Sequence, residues 1–84
     1  MIAKRTEVYN AIDSERHYQD SLPTTRTDGS DKTVGDYLTM IESYQRRAND
    51  AWTDNPGTVE ALHVIRKIAG IAVRCMEEHG APHR

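Results

Sequence analysis

The sequence predicts an all-α fold in which three helices of one chain assemble into an oligomeric helical bundle. Apolar residues recur every three or four positions in three segments, which is the spacing of one helix face. Proline and glycine separate or end these segments at Pro23, at Pro56 and Gly57, and at Gly80. We expect a single domain over residues 1–84, with helices at 4–21, 33–53 and 56–79.

The composition favours a small cytoplasmic protein that self-associates. The chain has 84 residues, of which 37% are hydrophobic, and a lone domain of this size is marginally stable. Its net charge of −2 argues against general nucleic-acid binding, which requires a strongly positive surface. The single cysteine, Cys75, predicts no disulfide, and no apolar run is long enough to suggest a membrane span. The first residues are too polar for a secretory signal.

The first helix carries a thin apolar stripe. Only a few apolar residues, beginning with Val8 and Ile12, follow helical spacing, so this helix needs a partner. Pro23 ends the helix, because proline disfavours the helical conformation of the residue before it. Residues 23–32 are polar and contain no large apolar side chain, which predicts a loop.

The second helix is predicted to begin with a capping box. Thr33 is followed three residues later by Asp36, whose side chain can accept a hydrogen bond from the backbone of the cap residue. Glu42 and Arg46 are four residues apart in the order that favours an ion pair on a helix, worth about 0.3 kcal/mol.

The third helix is predicted to be the central one. Asp54 or Asn55 is expected to cap it, with Pro56 in its first turn. Gly80 followed by Pro82 predicts its end, and the short connection predicts an antiparallel hairpin with the second helix. Its apolar residues form two adjacent stripes: Leu62, Ile65, Ala69, Ala72 and Met76 in one, and Val64, Ile68, Ile71 and Cys75 in the other.

The sequence predicts no catalytic residue, no metal site and no cofactor. The four histidines include no pair four residues apart within one helix, so a zinc site within one chain is not expected. The glycines are scattered and form no phosphate-binding loop. Four acidic residues remain as alternative magnesium ligands, although solvated surface charge explains them more simply: Glu42, Asp50, Glu77 and Glu78.

The strongest candidate for a ligand site lies on the third helix. His63, Lys67, Gly70 and Arg74 are separated by steps of four, three and four, so they share one side of the helix. Two cations beside a residue without a side chain can hold an anionic ligand. Glycine within a helix costs about 1 kcal/mol relative to alanine. Close approach of either another helix or a ligand to Gly70 would explain its presence.

Further donors and aromatic rings complete the predicted ligand site. Arg66 and Arg16 would support the bound charge, although Arg16 could instead pair with an acid on a neighbouring helix. Four aromatic residues are candidates for stacking on a base: Tyr18, Tyr37, Tyr44 and Trp52.

Three segments resemble a group of small proteins encoded by phages and prophages: Glu15-Arg16 with Gln19, VGDYLTMIESYQRRANDAW (34–52) and IRKIAGIAVRCMEEHGAP (65–82). Similar phage proteins with an E-R-x-x-Q segment look distantly like all-α NTP pyrophosphohydrolases of the MazG-like type, which use an acidic magnesium cluster. This chain has Arg46-Arg47 and Arg66-Lys67 where paired acids would be expected. The resemblance therefore implies a helical nucleotide-binding scaffold without the metal. In size, helicity and self-association the chain also resembles phage sponges that sequester nucleotide-derived immune signals.

These observations predict a non-catalytic, oligomeric protein that binds an anionic, nucleotide-like small molecule between helices or subunits. The resemblance adds a phage origin, a counter-defence role and the cytoplasm of a bacterial host as the location. No membrane partner is expected. Two alternatives remain: a small MazG-like, magnesium-dependent nucleotide pyrophosphohydrolase, and a structural or protein-binding phage component whose apolar seams pair with another helix.

Overall fold

The computed structural model of the chain describes residues 2–22 and 32–84. All regular structure in these ranges is helical, which confirms the predicted class, and it forms three helices: α1 (Arg5–Ser21), α2 (Val34–Asp54) and α3 (Val59–His79). The predicted loop at 23–32 lies outside the described residues, apart from Lys32. None of the described helices is both long and apolar enough to cross a lipid bilayer.

Two helix termini form as the sequence predicts. The Thr33 hydroxyl accepts a hydrogen bond from the Asp36 backbone N–H at 3.1 Å, and the Thr33 N–H donates to the Asp36 carboxylate at 2.9 Å. This capping box satisfies two backbone donors that a helix start leaves unpaired. The second is the end of α3, which stops at Gly80, where a positive φ of 120° favours glycine.

The start of α3 differs from the prediction by three residues. Pro56 does not open the helix, because Gly57 follows it with a φ of 82°, in the left-handed region. The chain therefore makes one more turn before Thr58, whose hydroxyl accepts a hydrogen bond from the Glu60 N–H at 3.2 Å. Thr58, and not Asp54 or Asn55, is the N-cap.

The third helix is central, as predicted, because both other helices pack against it while α1 and α2 do not pack against each other in the described ranges. The hairpin of α2 and α3 is antiparallel, since Tyr37 near the start of α2 lies against His79 at the end of α3. The apolar core of this arrangement is small. Among the described residues only Tyr37, Ala61 and Ile71 are buried apolar side chains.

Candidate functional site

An open cleft of about 290 Å³ lies between α1 and α2, with α3 as its floor. It exists because the two outer helices rest on different sides of α3 without contacting each other. The residues that line it come from all three helices: Glu15, Tyr18, Gln19, Leu22, Met40, Tyr44, Lys67, Ile71 and Arg74. Four of the predicted ligand-binding residues are therefore brought together here: Tyr18, Tyr44, Lys67 and Arg74.

The floor of the cleft carries an excess of positive charge. The Lys67 ammonium has no carboxylate partner among the described residues. Arg74 is half-buried, and its Nε lies 3.5 Å from the Glu78 carboxylate, a longer contact than the 2.6 Å between Arg16 and Glu77. The acid in the cleft, Glu15, is neutralised by Arg66 at 2.9 Å. An anion entering the cleft would therefore meet an ammonium for which no carboxylate of the described residues competes.

Two tyrosines form opposite walls of the cleft. Tyr18 on α1 is 58% exposed, and Tyr44 on α2 is partly buried. The guanidinium of Arg47 lies 4.7 Å from the centre of the Tyr44 ring, a cation–π contact that helps to orient the ring. Aromatic rings that share a cleft with Lys67 and Arg74 suit a ligand that combines a flat ring with a negative group.

Gly70 is the point at which α1 rests on α3. A methyl group added at Gly70 would lie 2.8 Å from Glu15 Cγ and 2.8 Å from Gln19 Nε2. Gln19 also donates from Nε2 to the Lys67 carbonyl at 3.4 Å and to Glu15 at 3.3 Å. Close approach of a helix therefore explains this glycine, and the space beside it is occupied by two side chains of α1. A role for Gly70 in ligand binding stays a prediction.

Arg16 pairs with an acid on a neighbouring helix, which was the alternative to a ligand-binding role. Its Nε donates to Glu77 of α3 at 2.6 Å, and its Nη1 lies 3.1 Å from Asp20. Burial alone would lower the pKa of Arg16, but these acidic partners outweigh burial and raise the pKa above its ordinary value. Arg16 is buried and does not line the cleft, so it contributes to the site by fixing α1 against α3.

The remaining candidates lie away from the cleft. His63 contacts the guanidinium of Arg66, which pairs with Glu15, and neither His63 nor Arg66 is among the residues that line the cleft. Trp52 is 55% exposed near the end of α2 and is not among the lining residues. Tyr37 cannot stack on a ligand in this structure, because its side chain is fully buried.

Tyr37 instead supports the floor of the cleft from below. The Arg74 guanidinium carbon lies 5.6 Å from the centre of the Tyr37 ring. Burial, with a smaller effect from the nearby Glu78 carboxylate, raises the pKa of Tyr37 to about 12. Its hydroxyl has no hydrogen-bond partner of good geometry in the described ranges. Tyr37 thus helps to position Arg74.

Three of the four acidic residues considered as magnesium ligands lie beside arginines. Glu42 pairs with Arg46 at 2.9 Å, as the helix spacing predicts. Glu77 pairs with Arg16, and Glu78 lies beside Arg74. Within the described ranges no three potential ligands converge into a group that could hold a metal ion.

Sequence reasoning missed five residues that line the cleft. Glu15 and Gln19 belong to the E-R-x-x-Q segment, in which only Arg16, a cationic donor, was predicted to bind the ligand. Met40 is four residues before Tyr44, so one face of α2 carries both, a spacing that was available as a signal. Leu22 and Ile71 carried no signal other than helical periodicity.

Comparison with protein-family models, with curated proteins and with solved structures found no significant match to this chain.

Proposed function

We propose that this chain is a non-catalytic, oligomeric binding protein that captures an anionic, nucleotide-like small molecule in the cleft between α1 and α2. The observation that carries the proposal is the Lys67 ammonium, which has no carboxylate partner among the described residues, on the floor of a cleft walled by Tyr18 and Tyr44. A phosphate would rest on Lys67 and Arg74, and a base would lie against one tyrosine ring.

The size of the cleft favours a small ligand over a polymer. A volume of about 290 Å³ is at the lower end of the range for small-molecule sites, which is roughly 300–1,000 Å³. The net charge of −2 disfavours long nucleic acids, which need many cationic contacts, but leaves this local positive floor unaffected. A nucleotide, or one half of a dinucleotide, is the ligand class that matches both properties.

The biological role that fits this chemistry is sequestration. The resemblance to small phage proteins suggests a phage-encoded sponge in the cytoplasm of a bacterial host, removing a nucleotide signal of host defence. No observation favours the pyrophosphohydrolase alternative, since Glu42, Glu77 and Glu78 each lie against an arginine. Incubation with nucleoside triphosphates and Mg²⁺ tests it directly: product formation would contradict the non-catalytic part of the proposal.

Isothermal titration calorimetry with AMP, ADP, a cyclic dinucleotide and inorganic phosphate tests the binding site. Lys67→Met removes the ammonium and keeps the length of the side chain. We expect it to weaken nucleotide binding by about 10- to 100-fold, the effect of losing one charge-assisted hydrogen bond.

Lys4→Met is the matched control, because it removes the same charge from an exposed residue that lies outside the cleft. We expect it to leave the affinity unchanged. Equal affinities for both variants, or no binding of any phosphate-bearing ligand to the wild-type chain, would show that the cleft is not the site.

A further inference from the structure

The side of α3 that faces away from the cleft is apolar and uncovered. Leu62, Ile65 and Met76 are 61%, 52% and 45% exposed, and Ala69 and Ala72 lie between them. In an ideal helix these five residues fall within an arc of about 80°, and the middle of that arc is about 180° from Lys67, Ile71 and Arg74. We call these five residues the apolar face. No charged residue of α3 falls within the arc.

The neighbouring helices extend the apolar face. A groove of about 440 Å³ runs between α1 and α3 beside it, lined mainly by apolar side chains such as Val8 and Ile12 with Leu62 and Ile65. On α2, Leu38 is 60% exposed and lies about 140° around the helix from the side that lines the cleft with Met40 and Tyr44. Exposed apolar residues therefore occur on all three helices outside the cleft, and those of α1 and α3 line one groove.

Covering this surface would add to the apolar burial that stabilises the chain. Only Tyr37, Ala61 and Ile71 are buried apolar residues in the described ranges, so the interior contributes little of the burial on which stability depends. A partner that binds this surface on every folded molecule has to be at least as abundant as the chain itself. A second copy of this chain meets that requirement without any other partner.

The order of side chains is self-complementary for four of the five residues of the apolar face, while Leu62 would face His79 of the other copy. If two α3 helices cross antiparallel about a two-fold axis between Gly70 and Ile71, Ala69 of one copy lies opposite Ala72 of the other. In the same register Ile65 lies opposite Met76. Small residues at the crossing point let the helices approach closely, and large residues at both ends fill the space where the helices diverge.

We propose that two copies of this chain associate through the apolar face, with Ala69 and Ala72 of α3 paired across a two-fold axis. A stable interface takes about 800 Å² from each partner, and several half-exposed apolar residues on this side of the molecule can supply most of that area. The clefts then open outward on opposite sides of the dimer and stay accessible. This inference rests on the oligomeric part of the proposed function and does not depend on the identity of the ligand.

Sedimentation equilibrium of the wild-type chain and two variants tests the interface. Ala69→Glu places a carboxylate at the crossing point and should weaken self-association by about 100-fold or more, because a buried charge without a partner is strongly unfavourable. Ser43→Glu adds the same charge at an exposed position of α2 away from both surfaces and should leave self-association unchanged. A wild-type mass equal to one chain or to an odd number of chains, or equal effects of the two variants, would overturn the proposal.

Disulfide trapping keeps the proposal testable if Ala69→Glu does not fold. The chains Ala69→Cys and Ala72→Cys, each combined with Cys75→Ser, are mixed and oxidised under native conditions. The antiparallel register predicts that the mixed disulfide forms faster than either disulfide between identical chains, because only the mixed pair is directly opposed. Preferential formation of identical pairs, or no cross-linking, would contradict the register.

Discussion

Replacing Gly70 by alanine is expected to destabilise the protein, although the same change normally stabilises a helix. Gly70 lies in the middle of α3, where alanine would contribute about 1 kcal/mol of helix propensity. The new methyl group, however, would lie 2.8 Å from Glu15 Cγ and from Gln19 Nε2. The end of Gln19 can rotate away, but Glu15 is only 5% exposed and is held by Arg66.

The size of the effect follows from the balance of these two contributions. Relieving the contact with Glu15 requires α1 to move outward or Glu15 to leave its partner, and overpacking of this kind costs about 1–3 kcal/mol. Subtracting the gain of about 1 kcal/mol in helix propensity leaves a net destabilisation of about 1 kcal/mol. In a domain of this size that corresponds to a fall in Tm of about 4–8 °C.

Urea and thermal unfolding followed by circular dichroism, at one fixed protein concentration, measure the effect. Gly35→Ala is the matched control, since its new methyl group would lie 3.6 Å from the Thr33 hydroxyl, an ordinary contact, and should raise stability. In a background with Glu15→Ala and Gln19→Ala, Gly70→Ala should change sign and also raise stability. If Gly70→Ala stabilises the otherwise unaltered chain as much as Gly35→Ala does, α1 does not rest on Gly70.

Two further substitutions test the hairpin. Tyr37→Phe should leave stability at pH 7 unchanged or slightly higher, because it removes a buried hydroxyl without a good partner. Folding raises the pKa of Tyr37 from 10.0 to about 12. The free energy of unfolding of the wild-type chain should therefore fall by on the order of 1–3 kcal/mol as pH rises from 10 to 12, and that of Tyr37→Phe should fall less. Parallel pH profiles for the two proteins would contradict this. Thr33→Ala should cost about 1 kcal/mol through loss of the N-cap, measured by urea unfolding. Thr39→Ala, within the same helix, should cost nothing, and equal losses would argue against the cap.

Local signals in the sequence predicted much of the hairpin. The capping box of Thr33 and Asp36 and the pair of Glu42 and Arg46 depend only on residues within one helical turn, so spacing is sufficient to predict them. The predicted start of α3 was wrong because proline is equally compatible with the first turn of a helix and with a tight turn. The φ of Gly57 decides between them, and the sequence does not fix that angle.

The sequence predicted several residues of the candidate site, but it did not predict how the three helices arrange them around the cleft. Helical periodicity placed Lys67, Gly70 and Arg74 on one side of α3, but it contains no information on where α1 crosses that side. In the structure, Glu15 and Gln19 occupy the space at Gly70 and leave Lys67 and Arg74 beside it in the cleft. The crossing point depends on tertiary packing and on the ion pairs of α1 with α3, which spacing within one helix cannot specify.

Titration of ¹⁵N-labelled protein with nucleotides, followed by two-dimensional amide NMR, tests the central claim most directly because it reports both binding and its location. The account predicts saturable shifts for a nucleoside phosphate or a cyclic dinucleotide, concentrated at Tyr18, Tyr44, Lys67 and their neighbours, and absent with the uncharged nucleoside. Saturable shifts centred on another surface of the molecule, or no shifts with any phosphate-bearing ligand, would contradict it.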